Sequence, residues 1–127
     1  DSRMAAPNLV ALTSIYPRGS TITPANTTSN ELVPAPSTGH VHRINSLVVA
    51  NIDGTSAYSA TVYLKLTTGT EVALASTVSV PANSSLVVIG KDNPVYLTDT
   101  SGSANSITVK SSTASKLSFS CSYEEIY

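Results

Sequence analysis

The chain has 127 residues, 41% of them hydrophobic and only 12% charged, with a formal net charge of -1, which fits one domain with a core of ordinary size. Seven basic residues against eight acidic ones exclude a surface built to neutralise nucleic-acid phosphates. A single cysteine excludes an internal disulfide framework, and no apolar run approaches the roughly 18 residues of a membrane-spanning helix.

Residues 1–40 hold five of the seven prolines: Pro7, Pro17, Pro24, Pro34 and Pro36. Proline fixes φ and removes a donor, so this stretch is neither a helix nor a central strand. It reads as an extended N-terminal arm with short edge strands at 8–15 and 20–23, leaving 41–127 for the main domain. Period-2 alternation begins at residue 41. Over 41–52 it places Ile44, Val48, Ala50 and Ile52 on one face, interrupted by Ser46, and Asp53-Gly54 then marks a turn.

Over 60–67 the inward set is Val62, Leu64 and Leu66, with Thr61, Tyr63, Lys65 and Thr67 opposite. A Thr68-Gly69-Thr70 turn leads into 71–80, where Val72, Leu74, Val78 and Val80 share a face, so the two segments form a hairpin. Residues 85–89 read as a strand buried on both faces. After the break at 91–94 come a brief strand at 95–97, a loop at 99–105 and strands at 106–111 and 116–126. In the last of these Leu117, Phe119, Cys121 and Tyr123 line one face. Strands recurring roughly every 8–12 residues, with no helical period, define an all-β chain. The expected fold is a single antiparallel β-sandwich, jelly-roll or Ig-like.

Serine and threonine, 37 residues together, supply the polar surface that charges would usually supply. Such a surface lacks the charges that guard sheet edges, which suits edges occupied by partner subunits and hence a homo-oligomer. Catalytic signatures are missing. No glycine pair brackets a serine as G-x-S-x-G, and Ser-x-x-Lys does not occur. Any triad would need His40 or His42, and Cys121 sits on an apolar strand face where a thiol is inert. The reading is a non-enzyme with no cofactor.

His40-Val41-His42 places two imidazoles at i and i+2, a spacing that could ligate zinc. No third ligand lies nearby in sequence, so the pair reads as polar and partly exposed where the arm enters the first core strand. The six tyrosines suit a protein interface or a sugar platform, and the lack of Trp favours the interface. Tyr63 points away from the apolar face of its strand. The tail Tyr123-Glu124-Glu125-Ile126-Tyr127 suits docking.

Four runs in this order resemble small β-rich virion proteins of tailed phages, especially phages of marine bacteria and cyanobacteria. They are Arg43-Ile-Asn-Ser-Leu-Val-Val-Ala-Asn-Ile-Asp-Gly-Thr, Val80-Pro-Ala-Asn-Ser-Ser-Leu-Val-Val-Ile, Asn93-Pro-Val-Tyr-Leu and Ser122-Tyr-Glu-Glu-Ile. The early Ala6-Pro-Asn-Leu-Val fits as well. The loop after Leu97, Thr-Asp-Thr-Ser-Gly-Ser, departs from the more acidic loop of similar chains.

The resemblance implies a capsid decoration protein or a tail, neck or baseplate component, located in the virion and partnered by other virion proteins. It carries over no catalytic residue, and the charge balance and the lack of a long apolar run leave no nucleic-acid partner and no membrane partner expected. A carbohydrate-binding module is the rival from a different class. For the virion reading the expected contact residues are Tyr16, Arg18, His42, Arg43, Tyr63 and Tyr123.

Overall fold

In the computed structural model, residues 14–98 and 105–127 are described. Most of the first expected edge strand, 8–15, and all but the end of the loop 99–105 lie outside them. Nine strands occur among the described residues: β1 (Ile15–Ile22), β2 (Asn30–Val33), β3 (Val41–Asn51), β4 (Tyr58–Lys65), β5 (Glu71–Val80), β6 (Ser85–Ile89), β7 (Val95–Thr98), β8 (Ser106–Ser111) and β9 (Leu117–Ile126).

They form two antiparallel sheets. The first runs β1-β9-β3-β6, with β7 also on β3; the second runs β2-β8-β4-β5. β7 pairs with β3 at residues 41–44 and β6 pairs with it at 47–50, so the two short strands share one place in the sheet. Followed in sequence, the chain crosses between sheets after β1, β2, β3, β5, β7 and β8. That interleaved order is a jelly roll of two Greek keys rather than the immunoglobulin order.

The core fills the gap between the sheets. Ile44, Leu47, Val49, Leu117 and Phe119 from the first sheet meet Val33, Val62, Val80, Ile107 and Val109 from the second. β9 shows the expected alternation, with Leu117, Phe119, Cys121 and Tyr123 all turned inward. It lies between β1 and β3, so its register is set on both sides.

β3 departs from the expected pattern. Ile44 pairs with Tyr123 and Ser46 with Ser122, which leaves Asn45 as the extra residue of a β-bulge. One added residue exchanges the faces of everything beyond it. Leu47, Val49 and Asn51 turn into the core, whereas Val48 and Ala50 face out and Ile52 is 60% exposed. The expected inward set Ile44, Val48, Ala50 and Ile52 is therefore correct only at Ile44.

Two further expectations fail at the sheet edges. Residues 85–89 form β6 but are not buried on both faces: Val87, on the outer side of the sheet, is 62% exposed. On β5, Val80 is buried while Val72 and Leu74 stay exposed. Val72 does pair with Leu64, whose side chain packs on the core. A register shift between the Val62–Ala75 and Tyr63–Ala73 pairs makes Leu74 an extra residue and puts Ala75, not Leu74, on the core side.

Both strands from the proline-rich stretch lie at sheet edges, β1 against β9 and β2 against β8. β1 joins the end of the expected 8–15 strand to most of the expected 20–23 strand, and β2 lies outside the expected ranges. Pro17 is tolerated within β1 because an edge strand has one partner. Between them, fully buried Pro24 carries the chain across, its carbonyl accepting the Ser115 N–H at 2.7 Å.

Candidate functional site

Strand register decides which side chains meet. Across β1, β9 and β3 one row joins Tyr16, Glu125 and His42, and the next joins Arg18, Tyr123 and Ile44. These rows share the inward-facing side of the sheet at its end, where Glu125 is the hub. Arg18 donates to its Oε1 from Nη2 at 3.0 Å and from Nε at 3.2 Å, and His40 Nδ1 lies 2.8 Å from its Oε2.

The His40 hydrogen bond, then Arg18, holds the Glu125 carboxyl below the usual range despite its partial desolvation. Rings close the cluster. His40 stacks on Tyr127 at 4.0 Å between centroids, Tyr127 lies 5.6 Å from Tyr16, and the Arg18 guanidinium sits 5.7 Å from the Tyr16 centroid.

Beneath them His42 is only 4% exposed, with Nδ1 3.1 Å from the Pro34 carbonyl and its ring 5.0 Å from that of Tyr123. That bond assigns the Nδ1–H tautomer, and burial pushes the imidazole pKa down. His42 and Tyr123 were expected at a contact surface, and His42 as partly exposed. Both are buried and support the exposed Tyr16 and Arg18 from below.

Arg43 belongs to the opposite face. Its row joins Pro17, Glu124, Arg43 and Tyr96, and Arg43 Nη1 donates to Glu124 Oε1 at 3.3 Å. Beyond the bulge the same outer face continues as Gly19, Ser122 and Ser46, then Thr21, Ser120, Val48 and Val87, then Ser118, Ala50 and Ser85. Thr23 and Ser118 share a hydroxyl hydrogen bond of 2.8 Å on this side. In these rows the sole charges, Arg43 and Glu124, neutralise one another.

Of the six expected contact residues, Tyr16, Arg18, His42 and Tyr123 gather at one end of the first sheet, and Arg43 lies behind them. Tyr63 does not join them: it stands on β4 in the second sheet, half-buried beside a depression of about 170 Å³. The expectation missed Glu125, His40 and Tyr127 as members of the cluster. The tail suggests docking by its composition, and His40 with His42 offers a metal-ligand spacing that lacks a third ligand.

Among the described residues, His40 and His42 take separate partners, and no three of His, Cys, Asp and Glu gather. Cys121 is buried, which pushes its thiol pKa up to about 12. A thiol reagent such as iodoacetamide should leave it unmodified in the native protein and label it fully in denaturant, as mass spectrometry would read. Native labelling at the rate of a free thiol would contradict the burial.

No protein-family model and no curated protein matches the chain. Among solved structures it is similar to that of infectious bursal disease virus, Gt strain. The two share 17% identity with a TM-score of 0.36, over 90% of this chain and 30% of that one. T=1 particles derived from the same virus give 15% identity and a TM-score of 0.35, over 87% of this chain and 31% of theirs. The chain thus spans under a third of the length of either structure.

Proposed function

We propose that the chain is a non-enzymatic structural subunit of a virus particle, and more closely a decoration protein that clamps neighbouring capsid subunits of a tailed phage. The observation that carries this reading is the outer face of the β1-β9-β3-β6 sheet. Four of its cross-strand rows present small hydroxyls, aliphatic side chains and Tyr96, with no unpaired charge. The core of a protein interface is likewise depleted of charge, whereas a face kept in solvent normally mixes many charges of both signs.

Jelly rolls serve in viral capsid domains and in lectins, and the sequence resemblance favours the first. The division into an arm, residues 1–40, and a body, residues 41–127, belongs to this proposal. The arm strands β1 and β2 lie at the edge of both sheets, where exchange with a neighbour would leave β3, β4, β8 and β9 paired. Tyr16, Arg18, Arg43 and Tyr96 would then contact other capsid subunits or a second copy.

Gold-labelled antibody against the chain, applied to purified particles, tests the placement. Label spread over the heads is the expected result. Label confined to a vertex or the tail would replace decoration by a tail, neck or baseplate role. Unlabelled particles, with the protein present in the lysate and its epitope accessible, would overturn the virion reading.

A further inference from the structure

The second sheet carries a feature that the docking face does not use. On β4, Ser59, Thr61 and Tyr63 alternate with Ala60 and Val62, which face the core, so the three share the outer side. Lys110 of β8 lies opposite Thr61 on that side. On β5, Ala75 pairs with Val62 but Val78 pairs with Ala60, so an extra residue bulges between them. Thr77 occupies the bulge with φ of 50°, a conformation unusual for a β-branched residue.

Strain of this kind persists only where the surroundings impose it, and it clusters at binding sites. Here the Thr77 N–H donates to Thr61 Oγ1 at 3.0 Å. Ser59 N–H donates to the Ser112 hydroxyl at 2.9 Å in the same depression. Each hydroxyl oxygen is thus held in place as an acceptor, which leaves its own hydrogen to point elsewhere.

The result is a recess of about 170 Å³ rich in hydrogen-bond donors. Thr61, Ser112, Ser59 and Thr77 line it with hydroxyls, Tyr63 with a phenol ring and Lys110 with an ammonium group. Lys110 forms no ion pair with any described residue. Glu71 on the same side is engaged by Thr108 at 2.6 Å. A surplus of donors around one cation calls for an anionic, oxygen-rich ligand, and an aromatic wall favours a ligand with an apolar ring face.

We propose that this depression binds one acidic sugar residue, its carboxylate on Lys110 and on the Thr61 and Ser112 hydroxyls, its ring against Tyr63. A phosphate-binding site would offer more cations or a row of backbone N–H groups; this one offers a single charge and neutral hydroxyls. The site stands on its own geometry, so failure of the particle labelling would leave it untouched.

Titrating the isotope-labelled full-length chain with methyl glucuronoside, methyl glucoside or inorganic phosphate, followed by amide NMR, provides the test. Saturable shifts at residues 59–63, 77 and 110–112 are expected with the glucuronoside, with at least fivefold weaker binding of the neutral glucoside. Lys110→Gln and Tyr63→Leu should each weaken glucuronoside binding at least fivefold while the remaining spectrum stays in place. Equal saturation by phosphate, with Tyr63→Leu indistinguishable from the parent, would reduce the site to an anion contact and overturn the sugar assignment. No shift with any probe would overturn the proposal outright.

Discussion

Asn51→Ala is expected to cost about 2–4 kcal/mol of stability, whereas Ile52→Ala should cost less than about 0.5 kcal/mol, as chemical denaturation would measure. An ordinary hydrophobicity argument predicts the reverse, since removing a buried isoleucine costs about 2–5 kcal/mol. The bulge at Asn45 inverts the order. It turns Asn51 inward, where Nδ2 donates to the Val80 and Ser56 carbonyls, each at 2.9 Å, and Oδ1 accepts the Asp53 N–H at 2.8 Å.

One amide side chain therefore ties the end of β3 to the end of β5 and to the turn that leads into β4. Truncation removes three hydrogen bonds and leaves the carbonyl of fully buried Val80 without this partner. Ile52 meanwhile keeps most of its surface in solvent. If the variants ranked the other way, the bulge would be absent and the outer face on which the docking proposal rests would be composed differently.

What could be read from the sequence follows the same line. β9 was legible because from Leu117 to Tyr123 its apolar residues occupy one parity only, and β8 sits where its Ile107 and Val109 alternation placed it. In 47–50 apolar residues fill both parities, so the pattern alone leaves the choice of face open and a single extra residue decides it. In β5 two register shifts interrupt the alternation, so Ala75 rather than Leu74 meets the core, and period-2 spacing does not show them.

The functional residues were legible by type and not by association. Tyr16, Arg18 and His42 are aromatic or charged residues in an otherwise bland chain, which singles them out. Their convergence on Glu125 depends on two antiparallel pairings across more than 80 residues of sequence. The depression beside Tyr63 draws on β4, β5 and β8 and on a strained bulge. No local spacing encodes such a meeting.

Acid should unfold the protein in two steps of the same sign, and His42→Gln should remove the first. Buried His42 is held neutral, so its folded pKa lies below the ordinary value of about 6.5. The unfolded chain then takes up the proton first. Stability must fall as pH drops below about 6.5, by at most about 1.4 kcal/mol per pH unit for one proton.

Desolvation, the largest influence, opposes the proton on His42 together with His40 and Arg18, and outweighs Glu125 and the Pro34 carbonyl, which favour it. Glu125 acts later. Its folded pKa is depressed by His40 and Arg18, so its contribution is complete above the unfolded value of about 4.3 and is lost as pH falls through the folded one. Glutamine at position 42 keeps an amide donor for the Pro34 carbonyl yet carries no charge at any pH. Denaturation midpoints from pH 8 to 3 should therefore stay level to about pH 5 in His42→Gln, while the parent declines from about pH 6.5 downward. Glu125→Gln should instead flatten the acid end and leave the upper step in place. Parallel curves for parent and His42→Gln between pH 7 and 5 would show that the buried imidazole does not govern the first loss.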